Sequence, residues 1–197
     1  MLILVRHGQS IYNEQKLMCG TVDVPLTQMG IEQATACGNS LGEIPFDFCY
    51  SSTLQRATET ARIILETLGQ SMGVETTHKL NERSYGVLEG LTLGECRDKF
   101  PPKKYKTWER DYFEAPPMGE SLSDVSCRVI PYYTHNILPK LRAGRNVLIV
   151  SHANVMKVLF GFIRKLEESE IMSIEIENAI PYTFPPGLLD LKGSCAI

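Results

Sequence analysis

Residues 146–154 read NVLIVSHAN, an unbroken apolar run that ends in a serine and a histidine. A continuous run of this kind, without polar alternation, is the signature of a strand covered on both faces, as in a parallel sheet flanked by helices. The start of the chain repeats the pattern: ILVRHG at 3–8 carries the run Leu2–Val5 straight into Arg6, His7 and Gly8. Two buried strands, each delivering a histidine at its end, are the frame from which the remaining segments can be read.

Outward from that frame, the apolar pattern alternates between short β-rich runs and longer helical ones, which predicts an α/β fold. Thr27 is an N-cap for a helix over 28–41, with Gly42 as its stop. Residues 46–50 read as a strand, 54–68 as a helix closed by Gly69, and 74–79 as a weaker strand. The stretch 81–120 contains NERSYGVLEG, a short helix from Thr92 with Glu95 as capping-box partner, and the pairs Pro101-Pro102 and Pro116-Pro117. It reads as an insertion over the sheet edge, of the kind that serves as a lid or specificity loop. Ser121 and Asp124 form another capping box, opening a helix to about residue 141 that Pro131 and Pro139 kink or shorten. A helix over 154–164 and a last strand over 181–184 follow. The expected architecture is a three-layer α/β/α sandwich with a mostly parallel sheet, one domain over 1–197 with a lid-like insertion at about 81–120.

Composition narrows the function classes. The 197 residues are 43% hydrophobic and 22% charged, the balance of an ordinary globular protein rather than a disordered or membrane-embedded one. Apolar runs such as 147–150 and 158–160 are too short to cross a bilayer, and Arg6 arrives too early for a secretory signal, so a cytoplasmic location and no membrane partner are expected. A net charge of −3 gives no basic field for nucleic acid; an anionic partner has to be small and held by a local cluster of Arg and Lys. The six cysteines, at 19, 37, 49, 96, 127 and 195, have no metal-ligand spacing and read as reduced thiols, mostly packing, with no metal site expected.

In open α/β sheets, ligand sites gather outside the carboxyl ends of the strands. If the two best strands are parallel neighbours, His7 and His152 face one pocket although 145 positions (152 − 7) separate them. His78 and His135 lack that setting and read as surface or helix-face residues. Arg6 adjoins His7, and Arg56 lies in SSTLQRATET, where a strand gives way to its helix. Guanidinium forks suit phosphate oxygens, and SSTLQ adds hydroxyls and free helix-start amides. Taken alone, Arg56 reads as a solvated helix residue; beside two histidines and Arg6 it reads as an anion ligand. Glu82, in LNERSYG, could reach over the same strand ends as a proton donor, a role that needs its pKa raised by burial. The bland alternative pairs it with Arg83 or solvent.

These residues carry a resemblance. LVRHGQSIYN, SSTLQRATET, LNERSYG, PPMGESLSD and VSHAN, in that order over nearly the whole chain, resemble the motifs of the histidine phosphatase superfamily, and most closely those of its cofactor-dependent phosphoglycerate mutases. The resemblance implies that His7 attacks phosphorus in line to form a phosphohistidine and must be neutral to do so. It implies that Arg6, Arg56 and His152 surround the transferring phosphoryl group without a metal. Asn13 and Asn154 would donate to its oxygens, Glu82 would exchange the proton with the substrate hydroxyl, and Gly8 would allow close backbone approach. Tyr85 and Arg110 match a substrate rim that also takes in Cys19, Gly20 and Ala153.

A small phosphorylated substrate is implied, with 2,3-bisphosphoglycerate as the phosphoryl primer. Family members are often dimeric, which leaves a homodimer open. The rim departs from the pattern at four places: Leu93 stands where the family has a lysine, Glu109 where it has an arginine, Cys19 where a small hydroxyl residue is usual, and Ala153 where a glycine is. Basic neighbours that could compensate are Arg83, Arg97 and the run Lys103, Lys104 and Lys106. Three readings follow. The first is a mutase interconverting 2- and 3-phosphoglycerate; the second, favoured by Leu93 and Glu109, is a phosphomonoesterase that hands the phosphoryl group to water. The third is a non-catalytic phospholigand-binding module, against which the full set of His7, Arg6, Arg56, Glu82 and His152 argues.

Overall fold

A computed structural model describes residues 1–188 of the chain. Five strands, β1 (Leu2–Arg6), β2 (Phe48–Ser51), β3 (Val74–Thr76), β4 (Val147–Ser151) and β5 (Pro181–Phe184), form one sheet in the order β3-β2-β4-β1-β5. All pairings are parallel except β1 with β5. β1 and β4 are side by side at the centre, with Arg6 level with Ser151. Because side chains alternate across a strand, each central strand feeds two cores. Ile3, Val5, Cys49, Leu148 and Val150 pack under helices α2 (Gln28–Leu41) and α3 (Gln55–Thr67). Leu2, Leu4, Tyr50, Val147 and Ile149 face the other way, toward α6 (Leu122–Tyr132) and α8 (Ala153–Arg164). Two cores on opposite faces of one sheet make the three-layer sandwich that the unalternated runs predict.

The helix signals act as expected where side chains meet free amides. Thr27 accepts from the Gly30 amide, and Gly42 ends α2 at φ +63°. Both capping boxes form, at Thr92–Glu95 before α4 (Leu93–Lys99) and at Ser121–Asp124 before α6. A third, Ser10–Asn13, opens the four-residue α1 (Ile11–Glu14), which the sequence reading leaves as loop. The helix expected to run to about residue 141 is broken at its prolines: α6 ends at Tyr132, a wider π turn covers Tyr133–Ile137, and α7 (Leu138–Arg142) carries Pro139 in its first turn. Pro139 has no amide to donate, and the i−5 bond from Leu138 to Tyr133 lets the chain absorb that gap without a sharp turn.

Three boundaries shift for local reasons. β2 begins at Phe48, since Phe46 donates its amide to the Gln70 side chain rather than to a strand. β3 stops at Thr76, because the Thr77 hydroxyl caps a 3-10 turn over His78–Leu80. The insertion does not lie over the sheet edge. Leu91 and Gly90 exchange backbone bonds with Met18, which follows β1, and Glu82 reaches the first turn of α8, which follows β4. It therefore crosses the carboxyl ends of the two central strands, held by a small core of its own made of Leu88 from a 3-10 turn, Cys96 on α4, and Tyr105 and Trp108 on α5 (Pro102–Arg110). No described helix is long and apolar enough to cross a membrane. Cys37, Cys49 and Cys96 are buried as packing thiols, Cys19 is half-buried and Cys127 exposed, all unpaired; Cys195 lies outside the described residues.

Candidate active site

The parallel pairing of β1 and β4 carries both strand-end histidines to one place. The His7 amide continues the ladder by donating to Ser151 O at 2.9 Å, and the two imidazole centroids are 5.0 Å apart with planes tilted by 59°. Both rings are buried, His7 at 3% and His152 at 0% exposure. Burial, followed by the positive charges of Arg6 and Arg56, holds the His7 pKa well below that of an ordinary imidazole. His152 is lowered in the same way, by burial first and then by its charged neighbours.

Hydrogen bonds orient the rings. His7 Nδ1 lies 2.6 Å from Gly8 O, and a carbonyl can only accept, so Nδ1 carries the proton and Nε2 keeps its lone pair. His152 Nε2 pairs with Ser52 Oγ at 2.7 Å. Ser52 Oγ also accepts from the Leu54 amide, which fixes the hydroxyl against the His152 ring. The backbone of the strand end is fixed as well: Asn178 Nδ2 donates to His7 O at 2.6 Å and the Ala179 amide to Arg6 O at 2.8 Å. Gly8 does allow a close backbone approach, but the partner is helix α2. A Cβ at Gly8 would run into Gly30 O, and a Cβ at Gly30 into Gln9 O.

The two arginines are clamped by carbonyls. Arg6 donates to Ile176 O at 2.7 Å, and the fully buried Arg56 to Val22 O at 2.7 Å and Gly20 O at 2.8 Å. Arg56 is thus an interior cation. Three further polar atoms, Arg6 Nε, Arg56 Nε and His152 Nδ1, are buried without a partner among the described residues. Buried polar groups are rarely left unpaired, because burial without a hydrogen bond costs on the order of 1–3 kcal/mol each. Guanidinium donors, which cannot accept, set around an imidazole lone pair suit the oxygens of a phosphoryl group.

Glu82 is brought to the same strand ends. It is buried, and its Oε1 accepts from the amides of Arg83 at 2.8 Å and Asn154 at 3.3 Å, leaving Oε2 outside both bonds. It does not pair with the Arg83 guanidinium, which instead donates to the carbonyls of Glu120, Trp108 and Glu114 and braces the insertion. Asn154 Nδ2 donates to the Tyr85 hydroxyl at 2.9 Å, and burial pushes the Tyr85 phenol up to about 12. Asn13 is held by its capping box, with Oδ1 accepting from Ser10 and the Nδ2 group left as the donor. Cys19 and Gly20 lie in the loop that Arg56 grips; Cys19 Sγ donates to Val22 O, and Gly20 takes φ +50° beneath Glu89. Ala153 is the first residue of α8.

One expected rim residue is misplaced. Arg110 sits in the last turn of α5 with its side chain 79% exposed, beside Lys103 and Lys106 on the outer surface. Glu109, its neighbour at 3.9 Å, lines the cavity described next although it too is exposed. A cavity of about 220 Å³ lies beyond Tyr85 and Asn154, lined by Leu93, Trp108, Glu109 and Lys157 among others. Lys103, Lys104, Lys106 and Arg97 are not on its wall. The sequence reading takes Ser52 only as one of the hydroxyls of SSTLQ and overlooks Asn178 and Lys157. Asn178 carries no pattern of its own, whereas Lys157 stands three positions after Asn154 and so on the same helical face.

The fold and site together define an α/β protein that sets two neutral imidazoles beside two guanidinium groups at the carboxyl ends of parallel strands. Residues 2–183 match the model of the histidine phosphatase superfamily (branch 1), and the chain belongs to that superfamily. It is similar to proteins named 2,3-bisphosphoglycerate-dependent phosphoglycerate mutase from Bartonella tribocorum, at 43% identity over 94% of this chain and 92% of that one, and from Bartonella henselae, at 44% over 93% and 91%. Among solved structures it resembles a mycobacterial glucosyl-3-phosphoglycerate phosphatase in complex with VO3, with a TM-score of 0.82 and 29% identity over 91% of this chain and 88% of that one.

Proposed function

We propose that this chain interconverts 2- and 3-phosphoglycerate by phosphoryl transfer through a phosphohistidine on His7, with 2,3-bisphosphoglycerate as the primer. The observation that carries the reading is the state of His7: a neutral ring, fixed by Nδ1–H to Gly8 O, with its Nε2 lone pair beside the guanidinium groups of Arg6 and the fully buried Arg56. The mutase names of relatives that match almost end to end support the choice of substrate. The primer first phosphorylates His7: Nε2 bonds to phosphorus as the phosphorus–oxygen bond to the glycerate backbone breaks, and Glu82 gives that oxygen its proton. The free hydroxyl of a bound phosphoglycerate then returns a proton to Glu82 and attacks the phosphohistidine, freeing Nε2, and the bisphosphate so formed passes its other phosphoryl group back to Nε2 as Glu82 reprotonates the oxygen released.

Arg6, Arg56, His152 and Asn13 hold the phosphoryl oxygens and offset the charge that spreads over them in the transition state. Asn154 and Tyr85, with Gly20, Cys19 and Ala153 at the loop and helix start, shape the substrate side. The residues fit the bisphosphoglycerate primer at its transferred phosphate, where the unpartnered donors are. A cytoplasmic location and a homodimer go with this reading.

A phosphomonoesterase is the second reading, favoured by the two rim positions that face the cavity as Leu93 and Glu109 rather than as cations. The likeness to a glucosyl-3-phosphoglycerate phosphatase supports it. The assay that separates them follows 3-phosphoglycerate with and without catalytic 2,3-bisphosphoglycerate, beside an aryl phosphate. Primer-dependent appearance of 2-phosphoglycerate is expected; fast release of inorganic phosphate without isomerisation would replace the mutase with the esterase.

A further inference from the structure

The cavity beyond Tyr85 and Asn154 has two cations among its lining residues, Arg83 and Lys157. They differ in what they hold. Arg83 donates to three backbone carbonyls of the insertion, so its guanidinium is a brace. Lys157 Nζ donates to one carbonyl, Met172 O at 3.0 Å on α9 (Glu168–Ser173), and an ammonium has three protons to give. Among the described residues no carboxylate lies within ion-pair distance of it, although Glu82 and Glu175 both act on its charge. Burial is the main influence on this lysine and lowers its pKa, with those two carboxylates opposing the change.

A phosphoglycerate seated with its phosphate at His7 carries a second anion, the carboxylate, a few bonds away. The wall on which Leu93 and Glu109 stand offers it no positive charge, and Arg110 points outside. Asn154 stands one helical turn before Lys157 on α8, and its side chain is already joined to Tyr85 at the mouth of the cavity. A ligand that passes this pair therefore meets Lys157 on the same helical face.

We propose that Lys157 is the specificity-determining cation of this site, binding the substrate's carboxylate from α8 in the cavity that Leu93 and Glu109 line without positive charge. The proposal rests on the phosphoglycerate reading given above. A charge-assisted bond of this kind is worth about 10- to 100-fold in affinity.

The test compares 3-phosphoglycerate with glycerol 3-phosphate, which keeps the phosphate and replaces the carboxylate with a neutral hydroxymethyl group. Binding of each to the full chain is measured by calorimetric titration, for the wild type and for Lys157→Gln, which retains a donor for Met172 O without the charge. Wild type is expected to prefer 3-phosphoglycerate by about tenfold or more, Lys157→Gln to bring the two ligands within about threefold by loss of 3-phosphoglycerate binding alone, and Lys157→Arg to keep a preference. Lys157→Met gives the same reading should the Gln variant not fold. An undiminished preference in the neutral variants, equal weakening of both ligands, no preference in the wild type, or loss of preference in Lys157→Arg would each overturn the assignment. Isomerisation by the wild type is followed in parallel. If no isomerisation occurs but the preference collapses in Lys157→Gln, Lys157 stands and the mutase reading falls; if isomerisation occurs and the preference survives, the opposite holds.

Discussion

At the scale of single residues, the site turns on which groups carry protons. His7 has its proton on Nδ1 and a pKa held well below the ordinary value of 6.5, so the nucleophilic form persists where a free imidazole would be losing it. Phosphoenzyme formation is therefore expected to stay level as pH falls from 8 through 6.5 and to decline only below that. Rapid-quench measurement of acid-labile phosphate across this range checks it, and a midpoint at 6.5 would contradict the burial argument. His7→Ala should show no acid-labile phosphate by intact mass, because no other lone pair occupies that position. Glu82→Gln preserves the shape that accepts the Arg83 and Asn154 amides at Oε1 but cannot donate a carboxyl proton. It should bind inorganic phosphate as the parent does while transfer slows by about 10²- to 10⁴-fold. A rate within a few fold of the parent would move the proton to another group.

At the scale of elements, two contacts determine whether the site is seated. The first is the meeting of the Gly8–Gln9 turn with helix α2 at Gly30, where either glycine given a Cβ strikes backbone. Gly30→Ala should destabilise by about 1–3 kcal/mol even though alanine favours a helix by about 1 kcal/mol over glycine; chemical denaturation reads the difference. The second is the brace behind Glu82. Arg128 of α6 makes a bidentate pair with Glu120 and also donates to Lys79 O and Glu82 O, so the two ends of the insertion are tied to one helix. Arg128→Met leaves phosphate's ligands in place and is expected to lower the transfer rate at unchanged phosphate affinity, measured by single-turnover labelling. Ser121, whose hydroxyl caps that helix, contributes about 1 kcal/mol by the usual worth of an N-cap, which Ser121→Ala measured by thermal melting would show.

Across the whole molecule, two buried neutral histidines make stability depend on pH. The unfolded chain takes up protons below about 6.5 while the folded one, with both pKa values depressed, does not. Stability is therefore full above 6.5 and is lost as pH falls, by up to about 1.4 kcal/mol per pH unit for each histidine. Urea midpoints between pH 7 and 5.5, in buffer free of phosphate, should fall for the parent and less steeply for His152→Asn. Much of this site could be read from the chain itself. A strand buried on both faces has to be unalternated, and a strand end in a parallel sheet has to face the ligand side, so the two histidines and Arg6 follow from pattern alone. The capping boxes at Thr92–Glu95 and Ser121–Asp124 are local and equally legible. What sequence cannot settle depends on direction: whether Arg110 turns inward, which way the insertion leaves β3, and what Lys157 on α8 meets. These are decided by packing partners far along the chain. The position of β1 has one more consequence, in time rather than space. Of the described strands the one bearing His7 is made before the others, yet its two neighbours in the sheet, β4 and β5, and the Ile176, Asn178 and Ala179 contacts that hold its end come much later in the chain. On the phosphohistidine reading proposed above, a ribosome-bound chain cannot charge His7 with phosphate before β5 has emerged.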